Sequence, residues 1–250
     1  MKQRENEKVV AIVEARMTSS RLPGKHMLPA DGKPMLSHLI ARLKAVPDID
    51  EIVIATTTNA DDDVLEQLAI RENTGVFRGS EEDVMGRVLQ SARAYNAQVI
   101  CEVTGDCPII DPMLVEQVIK TYYANSRAKY VNIGNFGMPD GMGAQVFSTE
   151  VLAKSESMTD EPLDREHVTM HILRNPELFP AIYLVPFRTH YWPGLGLTLD
   201  EKRDYELLKR IIEHFGSDNP LFSCSDVLQL LKEKPEWAAI NQEVRRKGNT

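Results

Sequence analysis

Three short runs of β-branched and aliphatic residues, VVAIV (Val9–Val13), EIVIAT (Glu51–Thr56) and QVICEV (Gln98–Val103), constrain the fold of this chain more than anything else in it. Each is nearly continuous in apolar side chains, so each predicts a strand covered on both faces. The stretches between them have helical spacing. Pro34 stands where a first helical turn tolerates it, and Met35, Leu36, Leu39, Ile40 and Leu43 follow at one-face intervals. Asp61 is the predicted cap of a second helix with Val64, Leu65 and Leu68 inward, and Asp111-Pro112 opens a third with Leu114, Val115, Val118 and Ile119 on its apolar face. Strands alternating with helices in this way imply an α/β, doubly wound, mostly parallel sheet.

After about Ala124 the pattern changes. KYVNI and FGMPDGMGAQVF read as strand, Gly/Pro-rich loop and strand, predicting a small projecting β-element near residues 129–190 of a single domain spanning 1–250. A helix over Asp164–Arg174, a strand over Ala181–Pro186 and a strand over Leu195–Leu199 are expected to return the chain to the sheet. Helices over Arg203–Phe215, Ser225–Lys232 and Pro235–Arg245 complete the expectation.

No apolar run approaches the ~20 residues that span a bilayer, so no membrane insertion is expected. The polar start, MKQRENEK, lacks the apolar region of a secretory signal, which gives a cytoplasmic expectation. Cys101, Cys107 and Cys224 leave one thiol over in any pairing and form no C-x-x-C, so they read as reduced and structural. A formal charge of −8 argues against a nucleic-acid partner, and any phosphate binding must be local.

Chemistry is expected first in EARMTSSRLPGKHMLPADGK (Glu14–Lys33), a connection far longer than an ordinary turn between strand and helix. It sets Arg16, Arg21, Lys25 and Lys33 against Glu14 and Asp31, and a loop after the first strand of a parallel sheet lies at the ligand-binding edge. It is no Walker A loop, since His26 follows Gly24-Lys25 and position 19 is Ser. Asp106 in TGDCP and Asp200 in LTLDEKRD each follow an apolar run. Alone, either could be a helix cap; together with the basic loop they suit magnesium, which takes one or two carboxylates plus water and substrate phosphates. Asp61-Asp62-Asp63 contains the D-x-D of metal-dependent glycosyltransferases, the alternative enzyme reading, but leads into a helix where acidic residues complement the dipole. A non-catalytic nucleotide sensor on the same fold is the other alternative. His167 and His171 lack the glutamate of H-E-x-x-H; His171 reads as a packing residue, and His167 is a candidate for polar contact with an acceptor.

ARMTSSRLPGKHMLPADGKPML closely resembles the N-terminal motif of the spore-coat polysaccharide F-type cytidylyltransferases, relatives of the enzymes that activate Kdo and acylneuraminate. The likeness continues through ATTTNADDD, VFRGSEEDVMGR, TGDCPIIDP, PDG, DREHVT, LTLDEKRDYELLKRI and PEWAAIN, in order, over nearly the whole chain. The resemblance implies a nucleotide-diphospho-sugar transferase type of fold, usually a homodimer. It implies Mg2+-dependent transfer of CMP from CTP to an acidic, ulosonic or nonulosonic acid-like sugar, with release of pyrophosphate, in cell-surface polysaccharide synthesis. Arg16, Arg21 and Lys25 would hold the triphosphate, with Ala15 and Ser20 in the same nucleotide-binding segment and Arg78 and Ser80 near the nucleotide. Asp106 and Asp200 would hold the metal. Arg16, Lys25 and Asp106 are then the catalytic candidates, and Gln145, Arg165 and His167 the acceptor-binding ones. One departure stands out: relatives often read PDGLDVEVF where this chain reads PDGMGAQVF, so Gly143 and Gln145 occupy positions that are commonly acidic.

Overall fold

In the computed structural model, which describes residues 7–134 and 136–245, strand β1 (Val9–Glu14) does what its composition predicts. Val9, Ala11 and Val13 enter one buried cluster and Val10 and Ile12 the other. The chain continues through β2 (Pro29–Ala30), β3 (Lys33–Pro34), α1 (Met35–Lys44), β4 (Glu51–Thr57), α2 (Asp63–Arg71), β5 (Gly75–Gly79), α3 (Val84–Ala94), β6 (Val99–Thr104) and α4 (Pro112–Ala124). It then adds β7 (Tyr130–Ile133), β8 (Ala144–Ser148), α5 (Thr149–Glu156), α6 (Pro162–Glu166), α7 (Met170–Arg174), β9 (Ala181–Leu184), α8 (Lys202–Phe215), α9 (Cys224–Glu233) and α10 (Pro235–Ala238).

The seven-stranded sheet has the order β5-β4-β1-β6-β8-β7-β9. β1 is parallel to β4 and β6, β4 to β5, and β7 to β9, while β8 runs against both β6 and β7. Apolar faces of α1, α2, α4, α8 and α9 cover one side; α3, α5 and α7 cover the other. Because β4 and β5 lie to one side of β1 and β6 to the other, the strand order reverses between β1 and β6. The carboxyl ends of these two strands therefore diverge into a crevice, the place where such sheets bind ligands. None of the described helices is long and apolar enough to cross a membrane.

Several expectations change. The strands near 129–190 extend the main sheet, and the small separate β-element is instead the antiparallel β2–β3 ladder inside the loop after β1. Leu195–Leu199 is buried but forms no strand; a single bridge, Asp140 to Gly196, holds it beside the sheet. The helix predicted over Asp164–Arg174 is broken into α6 and α7 where Val168 takes φ 38°, and the last predicted helix stops at Ala238. Asp61 caps nothing: the residue before α2 is Asp62, and its side chain is engaged elsewhere. β5, α3 and α5 were not foreseen. β5 is half-buried along its whole length, so it lacks the continuous apolar run of its neighbours.

Candidate active site

The loop after β1 is anchored by a buried carboxylate. Asp62 accepts from the Met17 amide at 2.7 Å and from the amide and hydroxyl of Thr57, the amide at 3.1 Å, so it ties the loop to the end of β4. Burial opposes its ionisation, but the Thr57 hydroxyl and the Met17 and Thr57 amides outweigh burial and hold its pKa below the usual range. Gly24, at φ 71°, donates back to the Met17 carbonyl at 2.9 Å and turns Lys25 inward. On the loop's outer flank Glu81 accepts from Arg16 at 3.0 Å and from Thr18 at 2.6 Å.

Lys25 occupies the centre of the crevice. Its Nζ stands 3.1 Å from Asp106 and 3.4 Å from Asp200, and Arg21 reaches Asp200 at 2.8 Å. The two aspartates, 94 positions apart in the numbering, are brought together by backbone: the Leu199 amide donates to the Asp106 carbonyl at 2.8 Å. Residues 195–199 are themselves clasped by Asp140, whose amide and carbonyl bond Leu195 and Leu197 at 3.0 and 2.7 Å. A side chain at Gly141 would collide with the Leu197 carbonyl, 2.6 Å from where its Cβ would lie, so glycine is required there. Asn241 donates to the Gly196 carbonyl at 2.8 Å and to Asp204 at 2.7 Å, and Asp204 in turn accepts from the Asp200 and Glu201 amides.

Burial disfavours the charged form of Asp106, yet the Lys25 charge and hydrogen bonds from Thr104 and Lys25 prevail and hold its pKa below normal. Asp106 is therefore a carboxylate at neutral pH. His26, buried beside it, has its pKa lowered to about 4 by burial and then by Lys25, so its ring is neutral. Its Nδ1 faces the Gly105 carbonyl at 3.1 Å, and since a carbonyl only accepts, Nδ1 carries the proton.

Ala15, Arg16, Ser20, Arg21, Lys25, Asp106, Gln145, His167 and Asp200 all line one cleft of about 350 Å³. Arg78, Ser80 and Arg165 do not. Arg78 is held by Asp63 and Glu66 on α2, at 2.6 and 2.9 Å, and by the Thr57 and Asn59 carbonyls. The Ser80 hydroxyl accepts from the Asp83 amide at 3.0 Å, and Arg165 pairs with Asp83 and Glu156. His171 packs edge-on against Phe179 and bonds Ser155 at 3.0 Å, as a packing histidine does.

The sequence reading missed Glu14, Glu102 and Arg87, which also line the cleft. Glu14 and Glu102 project from adjacent strands onto the α3 side of the sheet, and the signal was a glutamate inside or ending an apolar strand. Burial, followed by the charge of Glu102, raises the Glu14 pKa; burial raises that of Glu102 to about 7 against hydrogen bonds from Glu14 and Gln145. The folded protein thus keeps a proton on Glu102 that the unfolded chain releases from about pH 4.5 upward, so stability falls as pH rises through this window to about 7. Glu102→Gln is expected to stabilise the protein by about 3 kcal/mol at pH 8 and by little at pH 5, at roughly 1.4 kcal/mol per pH unit. Urea denaturation at the two pH values checks this, and an equal effect at both would show that Glu102 titrates normally.

A basic loop and a carboxylate pair meet at the switch point of a mostly parallel sheet, an arrangement suited to a phosphate-bearing ligand. The comparisons narrow the class. The model of a family described as "Cytidylyltransferase" matches residues 10–240, and the chain belongs to that family. It is similar to the spore coat polysaccharide biosynthesis protein SpsF of Bacillus subtilis, with 33% identity over 92% of this chain and 96% of the relative. It is also similar to a 3-deoxy-manno-octulosonate cytidylyltransferase of Trichlorobacter lovleyi, 32% identical over 48% of this chain and 47% of that one. Among solved structures, a cytidylyltransferase from Leptospira borgpetersenii superimposes with a TM-score of 0.88 at 31% identity, covering 93% of this chain and 97% of the other.

Proposed function

We propose that this cytidylyltransferase moves CMP from CTP onto a hydroxyl of a small acidic sugar-like acceptor, in the supply of precursors for a cell-surface polysaccharide. The carrying observation is the position of Lys25, bridging Asp106 and Asp200 at the mouth of the switch-point crevice with Arg21 alongside. Two carboxylates on an open cleft are the donor set magnesium prefers when phosphates and water complete its shell. Asp106 and Asp200 would hold Mg2+, which supplies charge neutralisation for the triphosphate and the departing pyrophosphate. Lys25, Arg21 and Arg16 then bind the phosphate oxygens, and the loop anchored by Asp62 keeps them in place. The acceptor oxygen bonds to the α-phosphorus as the bond to the bridging oxygen breaks, pyrophosphate leaves with the electron pair, and the hydroxyl proton is lost.

The same reading places the enzyme in the cytoplasm as a homodimer. The face near 129–190 supports the dimer: Phe136, Tyr183, Val185, Phe187 and Tyr191 are exposed apolar side chains at and beyond the β9 edge. The test incubates the protein with Mg2+, each of the four nucleoside triphosphates and a panel of ulosonic, nonulosonic and simpler sugar acids. Pyrophosphate is expected from CTP, only with an acceptor present. Release from no triphosphate, or equally from all four, would overturn the reading.

A further inference from the structure

The cleft has a side chamber of about 170 Å³ that shares Glu102, Thr104 and Gln145 with it and extends to Asn132. It is built by register. Glu102 on β6 faces Gln145 on β8, which faces Asn132 on β7, so the three side chains form a polar row across the sheet on the α3 side. Gln145 is already engaged: its Oε1 accepts from the Tyr130 hydroxyl and, at 2.7 Å, from Thr169, while its amide lies in hydrogen-bonding reach of Glu102. The Asn132 amide nitrogen donates to the Tyr130 hydroxyl at 2.7 Å.

Three oxygens are left over. Glu102 Oε2, Asn132 Oδ1 and Glu14 Oε1 are buried without a hydrogen-bond partner among the described residues, and Glu102 and Asn132 are only 4% and 9% exposed. Asn132 Oδ1 can only accept, and each glutamate accepts on both oxygens once ionised; buried unpaired acceptors cost stability unless a guest donates to them. An acidic group would meet Asn132 oxygen to oxygen and would oppose ionisation of Glu102. A hydroxyl offers one hydrogen; an ammonium offers three, together with the charge a buried carboxylate lacks. Arg87 acts on Glu14, but the charge acting on Glu102 is that of a carboxylate, Asp106.

We infer that the acceptor is an amino-substituted sugar acid whose protonated primary amine enters this chamber and donates to Glu102 and Asn132. The inference rests on the nucleotidyl-transfer reading for its substrate but on the chamber alone for its chemistry. With the amine in place Glu102 is ionised, and the proton burial had kept on it is released.

Calorimetry on the protein saturated with CTP and Mg2+ tests it with three probes that differ at one substituent: D-glucosaminate, D-gluconate and N-acetyl-D-glucosaminate. Glucosaminate is expected to bind about tenfold or more tighter than the other two, the scale of a charge-assisted hydrogen bond. Glu102→Gln is expected to bring the ratio to near one, and Asn132→Leu to reduce it, with thermal melts confirming that both variants fold. A ratio near one in the unsubstituted protein, a ratio that survives Glu102→Gln, or no measurable glucosaminate binding would overturn the inference. Pyrophosphate assays separate the two readings. Turnover of CTP without preference for an amine removes this inference alone, and amine selectivity without turnover of any triphosphate removes the transfer reaction alone.

Discussion

Asparagine at position 106 or 200 is expected to lower pyrophosphate release from CTP by roughly 10²–10³-fold while the protein stays folded. The substitution keeps side-chain shape and removes one negative charge from the centre where Lys25 meets both carboxylates. Folding survives because the backbone bond from Leu199 to Asp106 does not involve either side chain, and Lys25 keeps one carboxylate partner in each single variant. The stability cost is that of one partly buried ion pair, about 1–3 kcal/mol. The Asp106 carboxyl titrates below its usual range, so acid inhibition between pH 5 and 6, if measured, arises elsewhere in the site. A steady-state pyrophosphate assay with urea denaturation of each variant decides the matter; near-normal turnover would remove that aspartate from the reaction.

Asp62→Ala is expected to be the most damaging change outside the cleft. Three donors, the amides of Met17 and Thr57 and the Thr57 hydroxyl, lose their acceptor in a fully buried place. At about 1–3 kcal/mol for each stranded group, with partial rescue by water, the loss of stability comes to about 3–5 kcal/mol. The loop that carries Arg16, Arg21 and Lys25 loses its tie to β4, so KM for CTP rises by more than kcat falls. Because the Asp62 pKa is held down in the fold, its contribution is complete above the normal carboxylate range and is lost as pH falls through its lowered value. The gap in stability between Asp62→Ala and the parent protein therefore narrows in acid. A pH-independent gap in urea melts would show that Asp62 is not the ionised anchor.

The central strands and the edge that carries the cleft were legible because their signals are local. Continuous apolar runs mark β1, β4 and β6, and an overlong basic connection marks the loop between β1 and α1. The pairing of Asp106 with Asp200 was expected from chemistry and is fixed by backbone bonds, that from Leu199 to Asp106 among them, which no periodicity encodes. Arg78 and Arg165 lie outside the cleft, each held by carboxylates that no motif spacing announces. Residues 195–199 have strand composition but meet the β7–β8 connection through an isolated bridge at Asp140, so burial without a ladder mimicked a strand. Glu14 and Glu102 carried a readable anomaly, acidic side chains in segments that should be wholly apolar. Their shared surroundings depend on the parallel register of β1 and β6, which lies beyond any local window.

Asn241, close to the last described residue, fastens the segment that delivers Asp200, and this sets an order of events during synthesis. The strands of the crevice are complete by residue 104, whereas Asp200 and its fastening at Asn241 follow far later in the order of synthesis. A nascent chain folding from its N-terminus thus builds the sheet centre first and brings the second aspartate to the cleft later. On the proposed function, nucleotide then stabilises only chains that hold both aspartates, and premature termination upstream of Asn241 yields a product that proteases meet without that protection.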